Sequence, residues 1–261
     1  MQKLKFLLRY VEYQRQSKNK FDIHPPFLFD LVTKVFEDKK SYPEYLIVEN
    51  IKKELLASKK TISVSDFGAG SVVDRGSERS VSRITKHSSK PAKYGRLLFR
   101  LASYFKPSNI LELGTSVGLS SCYMALGNLN AKITTIEGCP NISALAKTNF
   151  NKAGIENIRL ITGNFDQMLP DVLKTMPQID LVFIDGNHRH EPTINYFEQC
   201  IENSVNDTCI IFDDIHWSEE MEQAWHNIID HEAVTLSIDI FFMGLVFFKK
   251  ELTKQHFTVR F

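Results

Sequence analysis

From residue 109 to residue 214 the chain alternates between two periods. Short runs that are apolar on both faces, NILEL (109–113), KITTIE (132–137), IRLIT (158–162), IDLVFID (179–185) and TCIIFDD (208–214), predict strands. Between them, helical spacing predicts helices over 119–127 and 140–154, a short one after 162, and another opening at Pro192. A further helix starts at Ser218, an N-cap followed by Glu219 and Glu220, where carboxylates suit the positive end of the helix dipole. Strands buried on both faces and separated by helices imply a parallel sheet covered on both sides, a doubly wound α/β fold.

Either end of the chain departs from that rhythm. AVTLSIDIFFMGLVFFKK (233–250) holds two β-rich runs with no room for a helix between them, so the sheet should finish in an antiparallel hairpin. At the other end, Phe27, Leu28, Leu31, Val32, Val35 and Phe36 share one helical face, and Tyr45, Val48, Ile51 and Leu55 share another. The first 60 residues therefore predict a helical extension. Residues 71–90, polar, serine-rich and basic, predict a long loop. A helix carrying Tyr94, Leu97, Leu98, Leu101 and Phe105 stops at Pro107. The expected organisation is an extension and basic loop over 1–90, then a catalytic-type domain over 91–261.

Composition narrows the partners more than the fold. A net charge of +1 gives no reason to expect nucleic acid or a membrane surface. The four cysteines show no CxxC pair, which predicts reduced thiols in a cytoplasmic protein. MQKLKFLLRYVEYQRQ is basic, but Arg9 and Glu12 break its apolar run before signal-peptide length, and no stretch approaches a membrane span.

Two glycine strings compete for a cofactor. SVSDFGAGS (63–71) leads from a strand into the polar loop, with no helix in range. NILELGTSVGLSS (109–121) runs from strand to glycines to amphipathic helix, and the next strand delivers Glu137 about 20 residues on, where an acid grips ribose hydroxyls. The second string is the cofactor loop. Its order, Glu112, Gly114, Gly118 with Thr115 and Ser116 between, is not the G-x-G-x-x-G of nicotinamide enzymes. For the first string and its basic residues the reading is a turn and a lid over an acidic substrate, beside the plainer one of a solvated connection.

At these residues the sequence resembles the class I S-adenosylmethionine-dependent methyltransferases, over about residues 91–250, and within them the small-molecule O-methyltransferases of the catechol and caffeoyl-CoA kind and their bacterial relatives. The resemblance implies a Rossmann-like, mostly parallel sheet ending in an antiparallel hairpin. It implies that Gly114, Thr115, Ser116 and Gly118 pass the methionine part of S-adenosylmethionine. It further implies that Ser120 bonds the methionine carboxylate, Glu137 the ribose, and that Asn164 and Phe165 flank the adenine. Ser120 has a second reading, as support for the first helical turn.

Two more strand ends carry acids, Asp185 in FIDGNHRHEP and Asp213 and Asp214 in FDDIHW. In the family, positions matching Asp185, Asp213 and Asp214 hold Mg2+, an oxygen set suited to a hard cation that would orient a substrate hydroxyl. His188 falls where the family places its lysine base, and His216 is the rival base. Asp-Asp in place of Asp-Asn, and His in place of Lys, are departures that keep a strand-capping role for the acids and a packing role for His188 open. Trp217 reads as pocket wall or core. The implied activity is methyl transfer to a hydroxyl of a small, acidic or neutral molecule, with a homodimer allowed. RNA or protein methylation, a nicotinamide enzyme, and a non-catalytic cofactor-binding protein stay as alternatives.

Overall fold

The computed structural model describes residues 2–65 and 78–261. Most of the first glycine string, Asp66 onward, and the start of the basic loop, with Arg75, lie outside the described residues. Two compact units divide the chain: residues 1–38 with 175–261, and residues 39–174. Along the chain the first unit opens with α1 (Gln2–Gln16), a short 3-10 turn over Lys20–Asp22, and α2 (Pro26–Leu31) running into a wide π turn over Val32–Phe36.

The second unit begins with α3 (Pro43–Ala57), which buries the predicted face Tyr45, Val48, Ile51 and Leu55. Two short strands, β1 (Thr61–Ser63) and β2 (Glu78–Ser80), pair antiparallel. They are followed by α4 (Val81–Ser88) and α5 (Ala92–Phe105). The expectation of a loop over 71–90 is thus corrected for 78–88. Ser80 caps α4 by accepting from the Arg83 N–H at 3.3 Å, while Val81, Ile84 and Thr85 are buried. A single helical turn of apolar residues inside a polar sequence carries too weak a period to detect. α5 buries Tyr94, Leu97, Leu98 and Leu101, and ends where Lys106 adopts a left-handed φ of 49° just before Pro107.

Three parallel strands follow in the order β3 (Asn109–Leu113), β4 (Lys132–Glu137), β5 (Ile158–Thr162), with α6 (Leu119–Gly127) and α7 (Pro140–Lys152) as crossovers. The next helix, α8 (Phe165–Thr175), ends at the first residue of the other unit's second segment.

Back in the first unit come β6 (Ile179–Ile184), α9 (His190–Ile201), β7 (Ser204–Asp213), α10 (Glu219–Asp230), β8 (Leu236–Asp239), β9 (Met243–Phe247) and β10 (Gln255–Thr258). Their order within the sheet is β10-β8-β9-β7-β6. β6 and β7 are parallel, and β9 runs antiparallel to both β7 and β8, the expected terminal hairpin. Among the described strands of this unit only β9 runs against its neighbours, and with the parallel β3, β4 and β5 the fold is mostly parallel and Rossmann-like. β10 was not predicted. It pairs parallel to β8 and buries Phe257, with Val259 buried just beyond it. The clue was alternation over four residues, within reach of chance.

Candidate active site

The cofactor loop lies in the second unit and is built by three left-handed positions. Gly114 (φ 105°), Ser116 (φ 47°) and Gly118 (φ 82°) turn the chain from the tip of β3 into α6. The Gly114 and Thr115 N–H groups both donate to the Ile136 carbonyl, at 3.0 and 3.2 Å, tying the loop to the end of β4. The Thr115 and Thr135 hydroxyls are 2.6 Å apart, and Asn149 Nδ2 donates to the Val117 carbonyl at 2.8 Å. This leaves the first-turn N–H groups of α6, which have no acceptor inside the helix, at the mouth of the loop. Such a helix start suits a ligand carboxylate.

Glu112 holds that loop from beneath. It is fully buried, and its carboxyl accepts from Ser120 at 2.5 Å, from Thr135 at 2.6 Å and from Ser121. Burial pushes its pKa above the usual carboxylate range, against the lowering effect of the three hydroxyls. Its oxygens are thus spent on internal donors, and its part is to position the loop. Ser120 gives its hydroxyl proton to Glu112, the supporting role named as its second reading, while its oxygen keeps a lone pair.

Glu137 is arranged differently. It is half-buried at the end of β4, and its two oxygens accept from the Ser116 N–H (2.8 Å) and the Cys139 N–H (2.9 Å). Two backbone donors, one to each oxygen, fix the carboxylate's plane, and a carboxylate so held suits a vicinal diol. Asn164 and Phe165, both half-buried, start α8, with Asn164 Oδ1 capping the Asp166 N–H at 2.8 Å. Sequence reasoning missed Ser121, Thr135, Cys139 and Asn149. The two threonines of KITTIE were the signal for one of them, since polar residues in a buried strand need partners. The leading end of the first glycine string also touches this turn: Asn141 Nδ2 donates to the Ser63 carbonyl at 2.8 Å, and the Ser65 N–H to Cys139 Sγ at 3.4 Å.

The remaining candidates belong to the first unit. Asp185 follows β6 directly, and His188 Nε2 stands 3.5 Å from its Oδ1, with both side chains about one quarter exposed (23% and 26%). Asn187, at φ 53°, makes the turn between them, and its Nδ2 donates to the Tyr196 hydroxyl at 3.1 Å. A carboxylate beside one ring nitrogen orients the imidazole, the arrangement a general base uses.

Asp213 is the last residue of β7 and is buried. Asp214 sits in a left-handed turn (φ 55°), its N–H donating to the Phe242 carbonyl at 2.7 Å and its carbonyl accepting from Trp217 at 2.9 Å. Among the described residues no three His, Cys, Asp or Glu side chains gather into a group able to hold a metal ion, so Asp185, Asp213 and Asp214 do not form the expected ligand set.

His216 is held between two carboxylates, Nε2 2.7 Å from Asp239 Oδ2 and Nδ1 3.2 Å from Glu222 Oε1, and stacks on Phe241 at 5.1 Å. Burial alone would lower its pKa, but the hydrogen bonds and charges of Asp239 and Glu222 prevail and raise it to about 9. An imidazolium that donates both N–H groups cannot take a proton from substrate, which removes His216 as a base at neutral pH. Its raised pKa makes a stability contribution fully present below the unfolded value of 6.5 and lost as pH rises through about 9. On the order of 2–3 kcal/mol should therefore disappear across that window. Denaturation midpoints of wild type and His216→Gln against pH will check this, since the variant should lack the slope. Trp217, 56% exposed, is a surface residue, not core.

Residues 111–215 match the family model described as a methyltransferase domain. A catechol O-methyltransferase of Niastella koreensis is 32% identical over 124 residues, which cover 46% of this chain and 55% of that one. The catechol O-methyltransferase of Mycobacterium tuberculosis is 27% identical over 131 residues, covering 48% and 56%. The chain thus spans a little over half the length of these relatives. Among solved structures, the S-adenosylhomocysteine-bound Podospora anserina methyltransferase PaMTH1 superposes with a TM-score of 0.61 at 16% identity, over 88% of this chain and 99% of that one. An O-methyltransferase from Bacillus cereus in complex with S-adenosylhomocysteine gives 0.54 at 18%, over 90% and 99%. At those identities the superpositions establish the fold. Residues 111–215 thus match a methyltransferase domain in sequence, and the fold is the one these solved methyltransferases share.

Proposed function

We propose that this protein transfers the methyl group of S-adenosylmethionine to a hydroxyl of a small molecule. The observation that carries the reading is the Glu137 carboxylate, fixed by the Ser116 and Cys139 N–H groups at the strand tip that follows a glycine loop. The loop fits the cofactor by chemistry: α6 offers first-turn N–H groups for a carboxylate, and Glu137 offers acceptors for a ribose diol. When bound, the cofactor supplies an electrophilic methyl group on a sulfonium.

The chain's own groups then have to hold the nucleophile and remove its proton. His188, oriented by Asp185, is the chain's own candidate to take up the hydroxyl proton. Holding the reacting atoms in line supplies much of the rate in such a displacement. The names of the sequence relatives make catechol-like hydroxyls the first acceptors to try.

Calorimetric titration with S-adenosylhomocysteine tests the reading. Wild type should bind in the micromolar range, and Glu137→Ala should bind at least about tenfold more weakly, the loss of about 1.4 kcal/mol or more that a charged hydrogen-bonding group contributes. Absence of binding to wild type would end the proposal. Turnover of labelled cofactor with a panel of catechols and other phenols then separates acceptors, and His188→Ala should lower kcat while leaving S-adenosylhomocysteine binding unchanged.

A further inference from the structure

Ser63, where the first glycine string begins, is the last residue of β1, and β1 is tied to the turn that holds Glu137. β1 pairs with β2 through Thr61 and Ser80, Ile62 and Arg79, and Ser63 and Glu78, and the Val81 N–H donates to the Lys60 carbonyl at 2.8 Å. β2 leads without a break into α4, whose Val81, Ile84 and Thr85 are buried, so packing fixes one end of this ribbon. A two-stranded ribbon is marginal by itself, and its other end needs a second hold.

Helix α7 supplies that hold. Asn141, the second residue of α7 and exposed, donates from Nδ2 to the Ser63 carbonyl at 2.8 Å. Cys139, the residue just before the helix, accepts the Ser65 N–H on its sulfur at 3.4 Å and donates its S–H to the same Ser63 carbonyl at 3.9 Å. Ser63 and Ser65 are exposed whereas the thiol beneath them is buried, so this short segment covers it. Cys139 therefore faces two ways. Its side chain meets the end of β1, and its backbone N–H donates to Glu137 Oε1 at 2.9 Å. Its thiol makes no capping bond to the first turn of α7, so the helix start does not hold that side chain.

We propose that Asn141 is a positioning residue for the cofactor: it pins Ser63–Ser65 on the Cys139 thiol and so keeps the Cys139 N–H aimed at the Glu137 carboxylate. The inference rests on the reading of Glu137 as the ribose-binding group. Sulfur is a weak donor and a weak acceptor, so the amide-to-carbonyl bond of Asn141 does most of the holding. A hydrogen bond weakens steeply as its angle departs from linear, which is how a loosened turn would reach Glu137. The plainer role for Asn141 is to steady the β1–β2 ribbon alone. The two roles differ in which ligand they affect, because a misaimed Glu137 penalises only a ligand that carries ribose hydroxyls.

Calorimetric titration of the full chain with S-adenosylhomocysteine, and with an analogue lacking both ribose hydroxyls, separates them. Asn141→Ala should bind S-adenosylhomocysteine about three- to tenfold more weakly than wild type, the effect of one hydrogen bond, and bind the analogue equally well. Asn141→Asp should behave the same way, since a carboxylate cannot donate to a carbonyl, although it suits the first turn of a helix. Alanine raises helix propensity at that position, so neither variant should lower the melting temperature of the unliganded protein. Added to Glu137→Ala, Asn141→Ala should weaken binding no further. A second readout needs no ligand. All four cysteines are buried, and iodoacetamide followed by peptide mapping should alkylate Cys139 faster in Asn141→Ala than in wild type, with the other three unchanged. Equal weakening for both ligands overturns the proposal, and so does an unchanged rate at Cys139. Wild type that binds neither ligand ends the methyl-transfer reading and this inference with it. Wild type and Asn141→Ala that bind S-adenosylhomocysteine equally end this inference alone.

Discussion

Replacing Gly118 with alanine should abolish measurable S-adenosylhomocysteine binding and cost about 2–6 kcal/mol of stability. Two independent penalties combine. The backbone at φ 82° is one an L side chain rarely adopts, a strain of about 1–3 kcal/mol. A Cβ there would also stand 2.5 Å from Phe150 Cε1 and 3.3 Å from Ala146 Cβ, so α7 or the loop must move, and overpacking of that kind costs about 1–3 kcal/mol. Movement of the loop is what should abolish binding, because the first-turn N–H groups of α6 are aimed by it. Gly154 supplies the control. Its φ of 66° is similarly left-handed, yet a Cβ there meets nothing within 4 Å, so Gly154→Ala should lose only the strain and keep its affinity. Urea denaturation and calorimetric titration of both variants measure the difference. Equal losses at the two positions would show that contact with Phe150 contributes nothing.

That contrast also marks what a sequence can convey about such a site. Gly118 was legible as a loop glycine because strand, glycine, helix and acid recur at set intervals. Its neighbour Phe150 was not, because the contact joins two helices through the fold. The same division runs through the rest of the molecule. Elements with sustained period were predicted, β3 and α6 residue for residue, α5 and the β8–β9 hairpin in kind and place. Those with one turn or two alternations, α4 and β10, were missed. In both, tertiary burial of two or three side chains does what local propensity does not.

Among the site residues, spacing separated Glu112 from Glu137 without distinguishing their roles. Both are carboxylates at strand ends, but one is sealed beneath three hydroxyls and the other is half-exposed between two amides. Exposure at a strand tip depends on the pleat and on what crosses above it, neither of which is written locally. His216 is the sharper case. Beside two aspartates in FDDIHW it had the composition of a base, yet Asp239 and Glu222, 23 and 6 residues further on, hold it as a cation. The partner that the geometry gives His188, Asp185, is by contrast close in sequence as well as in space.

Glu112→Ala should be about as damaging as the glycine change, for the opposite reason: it empties a site where the glycine variant overfills one. Truncation leaves the Ser120, Ser121 and Thr135 hydroxyls facing a cavity, at about 1–3 kcal/mol for each buried polar group left without a partner, less what they recover by bonding one another. A net loss of about 3–5 kcal/mol follows once the cavity is included. Glu112→Gln is the informative companion. A hydroxyl can donate or accept, so the three can reorient around an amide of the same shape, and the loss should be about 1 kcal/mol. pH separates the two effects. Because burial raises the folded pKa of Glu112, its contribution is fully present below the unfolded carboxylate value and is lost as pH rises through the folded one. Glutamine does not titrate, so the stability gap between wild type and Glu112→Gln should narrow as pH rises above the usual carboxylate range. The slope due to His216 is common to both proteins and cancels in that difference. A gap that instead widens with pH would mean the carboxylate is more stable charged than neutral in its site, and that the three hydroxyls outweigh burial.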